Sequence, residues 1–154
     1  MKIKGEYRKK AKRYLIGLID LYTRKELVQE DLDDVYDTMG GIDYSKDRVS
    51  SSRVGSSTEE RIASREQDIK EFKNEIKALD KKIARFEKMK KNLTPIQSQV
   101  IEYKYLKKKE NNISYSWMDI HEKTNYSAPR LKQIHKETLD RIAYILYGER
   151  ATDK

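Results

Sequence analysis

Residues 58–93 read TEERIASREQDIKEFKNEIKALDKKIARFEKMKKNL, and this stretch decides how the chain folds. Ile62, Ile69, Ile76 and Ile83 recur every seven residues, while Arg65, Phe72, Leu79 and Phe86 fill the second position of the same repeat. Apolar residues spaced this way line one stripe of a helix, which must be buried against another helix. Arg65 alone spoils the seam. Two partners suit it. In a parallel homodimer the flanking pairs Asp68–Lys73 and Lys82–Glu87 attract and Glu75–Asp80 repels, so self-pairing gains only ~0.2–0.5 kcal/mol for each attractive pair. Alternatively, the first helix of the same chain covers the stripe in an antiparallel arrangement. The pattern leaves both open. A helix standing free in solvent is the least favourable option, because it exposes the whole Ile/Phe stripe.

The composition around this stretch agrees with helix throughout. The chain has 154 residues, 34 Lys+Arg against 26 Asp+Glu, a net charge of +8, only 6 Gly and 2 Pro, and no Cys. The absence of Cys excludes a disulfide scaffold, a thiol nucleophile, a thiolate zinc site and an iron–sulfur cluster. No apolar run approaches the roughly 20 residues of a membrane span. The charged N-terminus is not expected to be a signal peptide. With 39 % charged residues the chain cannot fill a thick core, but it can build two-faced helices.

Upstream, Tyr7, Ala11, Tyr14, Leu15, Leu18, Ile19 and Tyr22 predict a helix from about Tyr7 to Tyr36, with a break near Arg24–Gln29 where the periodicity weakens. Its start is basic: residues 1–13 hold seven bases against one acid. That run is either an arm for a nucleic-acid backbone or a solubilising terminus. Residues 20–47 hold nine acids against three bases, densest at Asp31, Asp33, Asp34 and Asp37. They lack the spacing of a calcium loop, and read as a solvated face or a docking patch for a basic surface. Gly40-Gly41 and the serines up to Ser57 read as a linker.

Downstream, Thr94-Pro95-Ile96-Gln97 carries an N-cap, a first-turn proline and a capping box. The helix it opens bears Ile96, Val100, Ile101 and Leu106 and ends near Lys107. Glu110-Asn111-Asn112 is a turn. A short helix follows, capped by Ser114 or Ser116, with Trp117, Met118 and Ile120 on its inner side. Asn125-Tyr126 forms a second turn, since Asn enters the left-handed region cheaply. Ser127 caps a last helix with Leu131, Ile134, Ile142, Ile145 and Leu146 on its apolar face, stopped by Gly148. The expected architecture is therefore all-α. It comprises an N-terminal helical segment (1–39), a Gly/Ser linker (40–57), a coiled-coil helix (58–93) and a three-helix helix-turn-helix domain (94–148).

The function lies in that last domain. In a helix-turn-helix the second helix of the pair enters the major groove. Burial of Leu131 and Ile134 leaves Arg130, Lys132, Gln133 and Lys136 outside. Arg suits guanine edges, Gln adenine edges and Lys phosphate. Ser127 with the amides at the helix start, and His135, are further phosphate contacts. The two His residues lack metal-ligand spacing, and no nucleophile–base constellation or phosphate loop is visible. No metal, no cofactor and no enzymatic activity are expected.

Resemblance extends this reading. Trp117-x-x-Ile120, Tyr126-Ser127, Leu131, Ile134-His135 and Leu139 resemble the C-terminal segment of the ArpU/RinA group of phage-encoded transcription regulators, a segment similar to the fourth region of bacterial sigma factors. Gly40-Gly41-Ile42-Asp43-Tyr44, Val49-Ser50-Ser51 and the Ile-periodic helix resemble that group's N-terminal half. The likeness spans most of residues 36–147. Pro129 departs from it, standing where a polar or basic residue is expected. The resemblance implies a sequence-specific activator of phage late or packaging genes in the cytoplasm of a bacterial host. Its expected partners are double-stranded DNA, host RNA polymerase and a second copy of the chain. The alternatives are a small-terminase-like DNA-packaging protein and a coiled-coil protein-interaction module.

Overall fold

The computed structural model describes residues 2–40 and 52–153. They form α1 (Gly5–Gly40), α2 (Ser52–Lys90), α3 (Pro95–Ile101), α4 (Trp117–Thr124) and α5 (Ala128–Tyr147). One π turn (Glu102–Leu106) and two short 3-10 turns complete them, so the chain is all-α. No described helix is long and apolar enough to cross a membrane.

The expected break at Arg24–Gln29 does not occur: α1 is continuous. Val28 and Leu32 are buried and carry the apolar stripe through that region. α2 begins at Ser52, six residues inside the stretch read as linker. Once a helix has nucleated, each added residue gains a backbone bond, and Ser and Gly are poor helix formers but tolerated ones. Residues 41–51, the rest of that linker, lie outside the described residues.

The chain divides into two compact bodies, Leu21–Lys82 and Met1–Asp20 with Ile83–Lys154. The division cuts α1 and α2, not the linker. Residues 1–39 are thus not a segment of their own, and the C-terminal domain is not confined to 94–148. The reason is burial: Ala11, Leu15 and Leu18 of α1 and Phe86 of α2 are completely enclosed in the second of these bodies.

In Leu21–Lys82 the two long helices run antiparallel. Arg24 holds Glu75 through two hydrogen bonds of 2.8 and 3.0 Å, and Lys25 reaches Asp80 at 2.6 Å. Further along, Lys73 lies over the ring of Tyr36. Leu79 is buried, and Ile62, Ile69, Phe72 and Ile76 are half-buried. Glu75 and Asp80, the pair that repels in a parallel homodimer, each have a cation of α1 as partner. The Arg24 guanidinium accordingly holds the Glu75 carboxyl below its usual range. Arg65 is half-buried, and one of its guanidinium nitrogens has no hydrogen-bond partner among the described residues.

The other body starts from local signals. Thr94 accepts from the Gln97 amide while the Gln97 side chain accepts from the Thr94 amide, closing the capping box. Ser116 and Asp119 make the same box at α4. Asn125 takes φ 65° and ends α4; Gly148, at φ 66°, ends α5. Val100, Ile120, Leu131 and Ile134 form the core, flanked by Ile96, Tyr103, Tyr115 and Trp117. Ile83 is half-buried here, at the end of the heptad stripe. The residues before α1 are tied to those after α5: Ile3 pairs with Thr152, the Lys4 amide donates to Ala151 and the Asp153 amide to Lys2, each of these two bonds at 2.8 Å.

Candidate nucleic-acid interface

α4 and α5 are joined by Asn125, Tyr126 and Ser127. The Asn125 amide donates to the His121 carbonyl at 2.8 Å, and His121 Nδ1 is 2.7 Å from the Tyr126 carbonyl oxygen. Thr124 Oγ1 adds a bond to the Ile120 carbonyl. Together they fix the angle at which α5 leaves the turn. Ser127 Oγ accepts from the Arg130 amide at 3.3 Å, and its carbonyl accepts from Leu131. Pro129 contributes no N–H. Of the first-turn amides, only that of Ala128 stays outside this cap and proline. The start of α5 is therefore a poorer anion site than three open amides would make, and Ser127 acts mainly by setting the helix that carries Arg130.

Arg130, Lys132, Gln133 and Lys136 are all exposed. The guanidinium of Arg130 lies 4.0 Å from the Glu137 carboxylate two turns on, a loose contact between two side chains about half exposed. It leaves Arg130 free to turn outward.

His135 is placed differently from these four, contrary to its expected role at phosphate. It is half-buried, its ring stacked on Tyr105 at 5.7 Å and met edge-on by Trp117 at 5.3 Å. Its Nε2 shares a 2.6 Å hydrogen bond with the Tyr105 hydroxyl. Burial, with Lys12 and Lys104 nearby, pushes its pKa down to about 4, so the ring is neutral at pH 7. Burial likewise pushes Tyr105 up to about 12. A neutral, half-buried ring with Nε2 engaged packs against Tyr105 and Trp117 and offers no positive charge to a phosphate at pH 7. His135 lies four residues from both Leu131 and Leu139, at the edge of the apolar face, and which side it joins is decided by Tyr105 and Trp117.

Two apolar assignments also change. Met118 is 59 % exposed, while Ile120 is the residue of α4 that is buried. Ile145 is 38 % exposed, and Thr138, Leu139 and Ala143 take the inner face of α5 instead.

The lysines between α3 and α4 are held over aromatic rings. Lys104 lies 4.2 Å from the Trp117 ring and donates to the Tyr115 carbonyl; Lys107 covers Tyr103 at 4.8 Å. Desolvation, with Lys12 close by, lowers the pKa of Lys104. Lys109 pairs with Asp119 at 2.5 Å. That contact, with the Ser116 amide and hydroxyl, holds the Asp119 carboxyl down to about 2. The hairpin between these helices turns on Asn111 and Asn112, both left-handed, and is bridged at Lys108–Ser114.

Charge is divided unequally between the bodies. Met1–Asp20 with Ile83–Lys154 holds 22 bases and 11 acids, net +11, whereas Leu21–Lys82 holds 12 bases and 15 acids, net −3. The whole positive excess therefore lies on the body that carries α5.

No family model, curated protein or solved structure matches this chain. Its function is read from its own residues and from the resemblance described above.

Proposed function

We propose that this chain is a sequence-specific DNA-binding transcriptional regulator, an activator of phage late or packaging genes acting in the bacterial cytoplasm. The observation that supports it most is the outward set Arg130, Lys132, Gln133 and Lys136 on a capped helix that follows a tight three-residue turn, carried by a body of net +11. Basic side chains first displace counterions, each neutralised phosphate adding about −0.9 to the log–log salt slope. Arg130 and Gln133 then select the site, at roughly 1–3 kcal/mol for each good bidentate base contact. Lys132 and Lys136 hold phosphate. The acidic second half of α1 remains for a protein partner, with host RNA polymerase the candidate.

Fluorescence anisotropy tests this with two labelled duplexes at two salt concentrations, one from upstream of the late or packaging genes and one scrambled. At least about tenfold tighter binding to the upstream duplex is expected, the low end of DNA specificity ratios being higher still. Arg130→Ala should shrink that ratio, while Lys136→Ala should weaken both duplexes alike. Equal losses on both duplexes for Arg130→Ala would remove its base-reading role. Equal binding by the unaltered chain would favour packaging, and no binding at low salt would favour a protein-interaction module.

A further inference from the structure

The basic start of α1 is not a loose arm. Ile3 is buried against Thr152, and the Lys4 amide is bonded to Ala151. One turn into the helix, Arg8 makes a two-point contact with Asp140 of α5, its Nε and Nη2 donating to the two carboxylate oxygens at 2.5 and 3.1 Å. Beside it the Tyr7 ring lies 5.4 Å from that of Tyr147. These contacts fasten α1 along the second half of α5.

What they leave outside is basic. Lys9, Lys12 and Arg13 are exposed and fall on one stripe of α1 by the helical spacing, opposite the buried Ala11, Leu15 and Leu18. Lys12 lies one turn beyond Arg8, in the direction of the first half of α5. It is near enough to His135 and Lys104 to disfavour their protonation. Lys132 and Lys136 flank His135 on the same helix. Asp140, one turn beyond Lys136 on that side of α5, is taken up by Arg8, which leaves Lys9, Lys12 and Arg13 of the stripe exposed. Lys9, Lys12 and Arg13 lie within about one turn of one another on the helix, where like charges repel and a polyanion relieves the repulsion.

We infer that the first turns of α1 are a second, rigid grip on the DNA phosphate backbone, with Lys9, Lys12 and Arg13 holding the strand that flanks the groove entered by α5. This rests on the reading of α5 as the DNA-reading helix. Because α1 is locked to α5 through Arg8–Asp140, the grip loses little ordering entropy on binding, unlike a disordered basic arm.

The test compares two triple variants with the same reduction in charge. One is Lys9→Gln, Lys12→Gln, Arg13→Gln. The other is Lys70→Gln, Lys77→Gln, Lys81→Gln, at exposed positions of α2 in the body of net −3. Affinity for the upstream and scrambled duplexes is measured by anisotropy across a salt series, with helix content checked by circular dichroism. The α1 triple should reduce the salt slope by roughly 2–3, at about 0.9 for each phosphate no longer neutralised, and weaken both duplexes alike. The α2 triple should leave the slope unchanged. Should the α1 triple lose helix content, Lys12→Gln alone should still reduce the slope by about 0.9. Binding that persists with an unchanged slope in the α1 variants, or equal changes in both triples, overturns this grip and leaves the DNA-reading role of α5 standing. No binding by the unaltered chain at low salt overturns both.

Discussion

Phe72 and Phe86 occupy the same position of one heptad repeat on one helix, yet they sit in different surroundings. Phe72 belongs to Leu21–Lys82, where two helices meet along a stripe, and is half-buried; Phe86 belongs to the larger body and is completely enclosed. A pair of helices can cover one seam and no more. The other body contains the start of α1, the end of α2 and α3 to α5, and Leu15, Phe86, Ile101, Leu131 and Ile142 are each under 2 % exposed in it. Heptad position sets which way a side chain faces, but not how far it is buried: Leu79 is buried in the two-helix body, and Ile83 is half-buried in the larger one.

The largest expected effect breaks this comparison directly. Phe86→Ala should cost about 3–5 kcal/mol, as truncation of an enclosed aromatic does. Phe72→Ala should cost less, because Phe72 is half-buried and part of its ring stays in water in the folded chain. Urea denaturation of both variants measures the difference. Equal losses would mean that the two surroundings are alike.

A smaller effect sharpens it through pH. His135 titrates near 4 when folded, against about 6.5 in an unfolded chain. Between those values the unfolded state binds more protons, so stability falls as pH falls from about 6.5 towards 4. His135→Phe keeps a ring beside Tyr105 and Trp117 but removes the titration. Its melting temperature should fall less across that window than that of the unaltered chain. Parallel curves would assign the acid sensitivity to other groups.

The smallest effect concerns the exposed ion pairs of Leu21–Lys82. Glu75→Lys sets a lysine against Arg24 and should lower the melting temperature slightly, more so at low salt. In a parallel homodimer the same change would turn the repelling Glu75–Asp80 pair into an attracting one. A rise in melting temperature together with a doubled sedimentation mass would therefore replace the intrachain pairing with self-association.

Much of the body containing α5 was legible before folding was considered. The caps at Thr94 and Ser127, the left-handed Asn125 and the stop at Gly148 form as expected, and of Ser114 and Ser116 it is Ser116 that caps α4. So do the exposed positions of Arg130, Lys132, Gln133 and Lys136. Met118, Ile145 and His135 were misplaced. In each case the residue type fitted two faces of its helix, and the choice depended on neighbours far along the chain. Tyr105 and Trp117 lie 30 and 18 residues from His135, and nothing in their spacing announces that they enclose it.

The same division runs through the whole molecule. Helix content and the capped helix ends at Thr94, Ser127, Asn125 and Gly148 follow from residue type, because the hydrogen bonds and torsions that set them span three or four residues. Which stripe meets which does not follow, because any apolar face gains from burial against any other. In this structure charges distant in sequence accompany the pairing: Arg24 and Lys25 meet Glu75 and Asp80, and Arg8 meets Asp140. Only the folded chain shows the stripe of residues 62–79 lying along α1 and the basic start of the chain lying along the helix with Arg130 and Gln133.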